Sequence, residues 1–393
     1  MMPLRERKSK ADKTSTSTPE EPTVTTTGPT EDEAGGVLTV DLSAIQANWR
    51  ALARRVSPAE CSAVVKADAY GCGIEPVVRA LHNAGCKTFF VAHVTEARRV
   101  RAVAPEAIVY VLNGITPGSA SAFADAHVRP VIGNLAELAE WDAFCRANDW
   151  RWGAALHFDT GMNRLGLTSE EAVALSTRTK NLDHGITLVM SHLACADIPD
   201  HPLNDRQIQM FRDLRIMYRG ITASLANSSG IFLGPATHCD LVRPGVALYG
   251  ANPTLGTENP MQPVVELKGR IVQVRNLARG ASVGYGATWT AVNPAKIAIL
   301  SVGYADGYLR ATSAAEAGVI VAGRRCPIAG RISMDLLAVD VTELPENVAR
   351  RGDFATLLGE GITVDELAQW GGTISYEVLS RLGNRFTRIY RPG

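Results

Sequence analysis

Apolar positions along this chain fall into two regimes. From about residue 37 to 265, short apolar runs alternate with segments whose apolar residues recur every three or four positions. Those are the spacings of buried strands and of one-sided helices. The first run, 37–41, reads as a strand. Ser43 and Gln46 after it form a capping box, and Ile45, Trp49, Leu52 and Ala53 share one helical face. Eight further strands are predicted at 61–66, 88–94, 107–112, 128–132, 152–158, 186–191, 221–226 and 239–243. Between them lie helices at 75–84 (stopped by Gly85), 96–104, 118–126 and 135–147. The last of these carries Leu135, Leu138, Trp141, Phe144 and Cys145. One helix begins at the Thr168 to Glu171 capping box, one spans 203–219 before Gly220, and a short one starts at Ser228. Such alternation over about 200 residues indicates a (β/α)8 TIM barrel. A doubly wound open sheet is the competing fold, but no G-x-G-x-x-G follows the first strand.

After about residue 265 the helical period fades. Runs at 264–274, 296–302, 318–321, 336–341 and 354–357, punctuated by Gly, Pro and Asn, read as a second, mostly-β domain. Residues 1–36 are dominated by Thr, Ser, Pro, Glu and Lys, so a disordered polar tail is expected. The expected division is therefore 1–36 tail, 37–265 barrel and 266–393 β domain.

Composition adds exclusions. The 393 residues carry 40 basic and 40 acidic side chains, so nothing suggests nucleic acid or an anionic membrane as partner. No apolar run is long enough to span a bilayer, and the tail has neither a secretory h-region nor the acidic-poor character of a transit peptide. The seven cysteines are scattered and include no C-x-x-C pair. This suggests neither a metal site nor a disulfide framework, and it fits a cytoplasmic location.

In a barrel of this kind, function sits at the carboxyl ends of the strands. The first strand ends at Lys66, leading into Asp68, Tyr70, Gly71 and Gly73. A lysine at a strand end often just turns into solvent. One desolvated at a barrel mouth can instead form a Schiff base with a carbonyl compound. The fifth strand ends in His157 to Arg164, the sixth at Ser191-His192, the seventh at Asn227-Ser228-Ser229-Gly230 and the eighth at Arg243-Pro244-Gly245-Val246. The last two loops are the usual phosphate site of the fold. A serine at a helix start is usually only a cap. An imine-forming lysine and a phosphate cradle on one rim together imply pyridoxal 5′-phosphate.

Several separate motifs then carry a resemblance across residues 37–393. They are Val64 to Gly71, Asp159 to Gly166, Asn227-Ser228, Val242 to Gly245, Val283 to Trp289, Val302 to Gly307 and Ser333-Met334-Asp335. In these the chain resembles the alanine racemase family of fold-type III pyridoxal-phosphate enzymes. The resemblance implies a cytoplasmic isomerase that interconverts L- and D-alanine and supplies D-alanine for peptidoglycan. It further implies a homodimer with composite sites. Lys66 would bind the cofactor and serve as one base, and Tyr285 of a partner subunit would be the opposite base. Bases on both faces of the α-carbon are what racemisation needs. Arg243 matches the arginine on the pyridine nitrogen, where a decarboxylase or transaminase would place a carboxylate. His192 matches an imidazole contacting that arginine and the tyrosine. Tyr70, Asn227, Ser228, Gly245, Val246 and Tyr376 match cofactor ligands, and Arg164 and Met334 match binders of the substrate carboxylate. Tyr304 matches a residue that, with Tyr376, narrows the passage to the pocket. In one departure, His157 stands where many family members carry a carbamylated lysine that orients the arginine. Competing readings are a broader-specificity amino-acid racemase and a non-catalytic pyridoxal-phosphate carrier.

Overall fold

The computed structural model describes residues 24–177, 185–314 and 316–392. Seven parallel strands follow one another in hydrogen-bonded order: Ala63–Val64, Thr88–Val91, Ile108–Val111, Arg129–Ile132, Ala154–His157, Ile186–Met190 and Thr222–Ser224. Three of the seven are buried along their whole length and the others except at their first one or two residues, as expected of parallel strands covered on both faces. The eighth, Leu241–Val242, pairs in parallel with Glu60–Cys61, which runs directly into Ala63–Val64. Asp240 N–H donates to Ala223 O (3.0 Å) and Arg243 N–H to Ala226 O (2.9 Å), tying the eighth strand to the seventh. The sheet therefore closes on itself, and the open doubly wound alternative is excluded.

The helices follow the predicted order with local differences. The first, Leu42–Val56, is capped by Asp41, whose Oδ1 accepts from Ala44 N–H at 2.9 Å, and not by Ser43. Gln46 instead donates to Ala80 O at 2.9 Å. A carboxylate two residues earlier is simply better placed to receive that N–H. The Thr168/Glu171 capping box forms at the start of Ser169–Ser176. The helix expected at 203–219 is Pro202–Met217, with proline in its first turn, and it ends before Gly220 is reached. The short helix expected from Ser228 is a 3₁₀ turn, Gly230–Phe232, followed by Pro235–His238.

The second domain is a mostly antiparallel sheet built around the long strand Val265–Leu277. Its partners include Ala295–Leu300, Phe354–Leu358 and Gly36–Asp41. Gly36–Asp41 also pairs in parallel with Thr387–Arg391. The strand at 37–41, expected to open the barrel domain, thus belongs to the other sheet, where Leu38 and Val40 are fully buried. Regular structure is also found within the tail through residue 36 expected from composition. Thr25–Thr27 forms an antiparallel edge strand on Thr387–Arg391. Polar, β-branched threonines bury little but pair well through the backbone, a gain that composition does not register. Residues 1–23 lie outside the described residues.

Candidate active site

Lys66 follows the strand Ala63–Val64 and is half-buried. The backbone after it is unusual. Ala67, Asp68, Ala69 and Tyr70 have φ of 54°, 54°, 52° and 54°, a turn of left-handed helix made without glycine, closed by Gly71 at 77°. Each such residue costs roughly 1–2 kcal/mol, so the surroundings must hold the turn in place. Ala69 N–H reaches Val65 O (3.0 Å), Gly71 N–H reaches Ala67 O (2.9 Å) and Gly73 N–H reaches Asp68 O (2.9 Å). Asp68 Oδ1 accepts from Ile74 N–H at 3.0 Å and pairs with Arg99 at 2.7 Å. Ala67 N–H donates to Glu96 Oε1 at 2.6 Å. From the second domain, the helix Ser375–Ser380 packs so tightly that a side chain at Gly71 would collide with Leu379 O. Burial, then Arg164, pushes the Lys66 amine below its usual pKa, with Glu96 opposing. A lowered amine pKa leaves more of the nucleophilic, neutral form at neutral pH.

Beyond the lysine lies a cationic floor. Arg243, 4 % exposed, donates to Ser224 Oγ (2.5 Å), Ser191 O (2.6 Å) and Leu225 O (3.3 Å), and lies 3.4 Å from His192 Nδ1. It makes no carboxylate pair among the described residues. Burial pushes its pKa down to about 10, which still leaves it charged at neutral pH. His192 is pushed well below the usual histidine range by burial, then by Arg243 and Arg164. It is therefore neutral and can accept at Nδ1. His157, 8 % exposed at the end of Ala154–His157, is pushed down to about 4 by burial, then by Arg243 and Arg164. Arg164 is exposed and has no ion-pair partner among the described residues. Its loop is shaped by Asp159 Oδ1, which accepts from the N–H groups of Gly161, Met162 and Asn163 at 2.9–3.1 Å.

At the other end of the group, Ser228 Oγ accepts from Gly245 N–H (2.9 Å) and Ala247 N–H (3.3 Å). Any side chain at Gly245 would strike the Tyr70 hydroxyl. Tyr70 stacks on Tyr249 (4.6 Å between ring centres) and lies 6.0 Å from the ring of Tyr376. Burial raises both hydroxyls, Tyr376 to about 12, so they stay protonated donors. Val246 opens the turn Val246–Tyr249, and Asn227 Oδ1 takes the N–H of Gly230 at 2.8 Å. Hydroxyl donors, a glycine that leaves the backbone bare and an arginine without a carboxylate partner suit a phosphorylated aromatic aldehyde held by Lys66.

Three expected residues do not join this group. Tyr285 lies in the second domain between Ser282–Val283 and Trp289–Thr290 and is 70 % exposed. Gly284 and Gly286 beside it have φ of 75° and 73°. Met334 is 53 % and Tyr304 36 % exposed. Their two turns are joined to each other, Tyr304 N–H to Ser333 O (3.1 Å) and Ala305 N–H to Met334 O (3.0 Å). Among the described residues, no hydrogen bond or ring contact links Tyr285, Tyr304 or Met334 to Lys66, Arg243 or Ser228. Sequence reasoning missed Glu96 and Ser224 and named Ser191 only as a strand end. Glu96 was the findable one, lying three positions after the helix-capping His93.

A barrel rim with a strained lysine turn and a buried, carboxylate-free arginine, joined to a β domain, defines the class: a pyridoxal-phosphate enzyme of the two-domain barrel type. Comparison with known families makes this specific. Residues 40–253 match the alanine racemase N-terminal domain and 264–390 the alanine racemase C-terminal domain. The chain is 53% identical over 356 residues to an alanine racemase of Methylobacterium sp. (strain 4-46), covering 91% of this chain and 98% of that relative. Agrobacterium fabrum has a biosynthetic alanine racemase 44% identical (90% of this chain, 93% of the relative) and a catabolic one 42% identical (92% and 93%). The structure superposes with a TM-score of 0.86 on alanine racemase from Bartonella henselae with covalently bound pyridoxal phosphate. Sequence identity there is 37%, over 91% of this chain and 100% of that one. The chain belongs to the alanine racemase family.

Proposed function

We propose that this pyridoxal-phosphate isomerase interconverts L- and D-alanine with one proton-transferring group on each face of the α-carbon. Bound through Lys66, the cofactor supplies the electron sink that makes the α-hydrogen acidic. Lys66 Nζ, its pKa lowered by burial, gives and takes the proton on one face. Tyr285 Oη of a partner subunit does so on the other. The observation that carries the reading is Arg243. A buried, charged donor without a carboxylate keeps its proton, so a cofactor ring nitrogen held beside it would be left unprotonated. That weakens the sink and disfavours the side reactions of decarboxylases and transaminases. Tyr70, Ser228, Tyr376 and the backbone N–H groups of Gly245 and Val246 hold the phosphate. Arg164 and Met334 N–H take the substrate carboxylate, a fork suited to an amino acid.

His157 is neutral near pH 7 and cannot form a stable carbamate. It supports Arg164 by packing or a weak hydrogen bond and not by charge. His157→Lys tests this: a bicarbonate-dependent fall in the KM for alanine would show that an orienting charge had been missing.

The high exposure of Tyr285 and Met334 in one chain supports a homodimer with composite sites. Mixing Lys66→Ala with Tyr285→Phe subunits is expected to restore about one good site per heterodimer, and no recovery on mixing counts against sharing. The D-alanine formed is assigned to peptidoglycan synthesis in the cytoplasm. Among the described residues no helix is long and apolar enough to cross a membrane.

The deciding experiment follows L-alanine by circular dichroism, with Lys66→Ala as control. Turnover lost in the variant supports the reading. Equal turnover of serine or lysine selects a broader racemase, and bound cofactor without turnover of any of them selects a carrier.

A further inference from the structure

Lys66 is held from outside its own strand. The next residue, Ala67, opens the left-handed turn, and its N–H donates to Glu96 Oε1 at 2.6 Å. Glu96 is the third residue of the helix Val94–Val103. Its other oxygen, Oε2, accepts from Ala92 N–H (2.9 Å) and His93 N–H (3.3 Å), the ordinary work of a carboxylate at a helix start. Capping that helix does not require the contact with Ala67. One carboxylate therefore gathers N–H groups from two adjacent strand-to-helix loops of the barrel, those after Ala63–Val64 and Thr88–Val91.

The charges around Lys66 make this carboxylate distinctive. Arg164 acts on the amine from the loop after the fifth strand, with the sign that disfavours a second cation. His192, after the sixth strand, also faces it and is neutral. Asp68, in the turn itself, is already engaged by Arg99 and Ile74 N–H. Glu96 is the anion that acts on Lys66 among the described residues, and it opposes both burial and Arg164.

We propose that Glu96 is a positioning residue for Lys66. Through the Ala67 N–H it fixes where the lysine side chain leaves the backbone, and it supplies the negative charge facing the amine. The turn it anchors is unfavourable at four successive residues. Releasing its first N–H frees the peptide next to the lysine. The inference rests on Lys66 being the lysine that carries the cofactor.

The test compares wild type with Glu96→Gln, Glu96→Asp and Lys66→Ala as full-length, cofactor-loaded protein. Three quantities are read: the pH midpoint of the visible band of the Lys66-bound cofactor, cofactor retained per subunit after gel filtration, and kcat against KM for alanine. Glu96→Gln removes the charge and is expected to lower the midpoint by roughly one pH unit, as loss of a nearby opposite charge does. Its kcat should fall roughly tenfold to a hundredfold, the range for losing a charge-assisted hydrogen bond, with KM little changed. Glu96→Asp keeps the charge but not the reach, so kcat should fall while the midpoint stays near that of wild type. If both variants lose only thermal stability, with midpoint and kcat unmoved, Glu96 is a helix cap and nothing more, and the proposal fails. A covalent band that survives Lys66→Ala overturns the premise itself, an outcome distinct from a silent Glu96.

Discussion

Gly245 shows how a single atom sets the limits of the phosphate cradle. Its missing side chain is the space in which the Tyr70 hydroxyl sits, and its N–H is already directed at Ser228 Oγ. Gly245→Ala must displace one of the two. We expect it to lower cofactor retention at least tenfold while costing about 1–3 kcal/mol in stability, the usual range for overpacking. Cofactor absorbance per subunit after gel filtration, set beside a thermal melt, separates the two effects. His157 gives a second prediction at this scale. Its folded pKa of about 4 lies below the unfolded value of about 6.5. Between those limits the unfolded chain binds a proton that the folded chain does not, so stability falls as pH drops from about 6.5 to 4. The full effect is on the order of 3 kcal/mol. His157→Gln should flatten the melting temperature over that window, and an equally steep profile would show that other groups dominate. At this scale the sequence pointed to polar side chains at the strand ends. Lys66, Arg243 and Ser228 stood out because strand ends in a barrel are where polar residues have work to do. Ser224 and Glu96 escaped, and Ser191 was named only as a strand end, because they act on backbone groups or on another side chain, which residue type does not advertise.

Among the elements, the turn from Ala67 to Tyr70 has the least visible cause. Nothing in Ala-Asp-Ala-Tyr signals positive φ, and only Gly71 hints at it. The turn exists because Glu96, Arg99 and the helix Ser375–Ser380 hold it from outside, while Asp68 braces it from within. Ala67 is exposed, so Ala67→Gly should remove a steric cost without opening a cavity. We expect a stability gain of about 1 kcal/mol. The same change at the exposed Ala136, inside the right-handed helix Leu135–Asn148, should cost about 1 kcal/mol. Chemical denaturation of the two variants side by side checks the contrast, and matching losses would mean the turn is not strained. The alternation of strands and helices was legible throughout the barrel, because buried parallel strands and amphipathic helices have distinct periods. Helix ends were legible only where a cap was unambiguous, as at Thr168, and not where Asp41 competed with Ser43.

At the scale of the whole molecule, the two domains interlock through Gly36–Asp41, which precedes the barrel in the chain but fills a place in the β sheet between Val265–Leu277 and Thr387–Arg391. Hydrophobic alternation marked this stretch as a strand but had no means of saying which sheet would receive it. A chain shortened to begin at Leu42 would leave two strands facing an empty lane and expose apolar surface now covered by Val37, Leu38 and Val40. We expect such a protein to be recovered mainly as aggregate, read by size-exclusion chromatography and soluble yield. A well-behaved product would show the lane to be dispensable.

The same lane imposes an order of events during synthesis. The Thr387 hydroxyl bonds the carbonyl of Pro29, 358 positions upstream. At about 5–20 residues per second, the leading strands must wait roughly 20–70 s for the partner that completes their sheet. The barrel can close while they wait. Strands made before the barrel can thus be enclosed only after it.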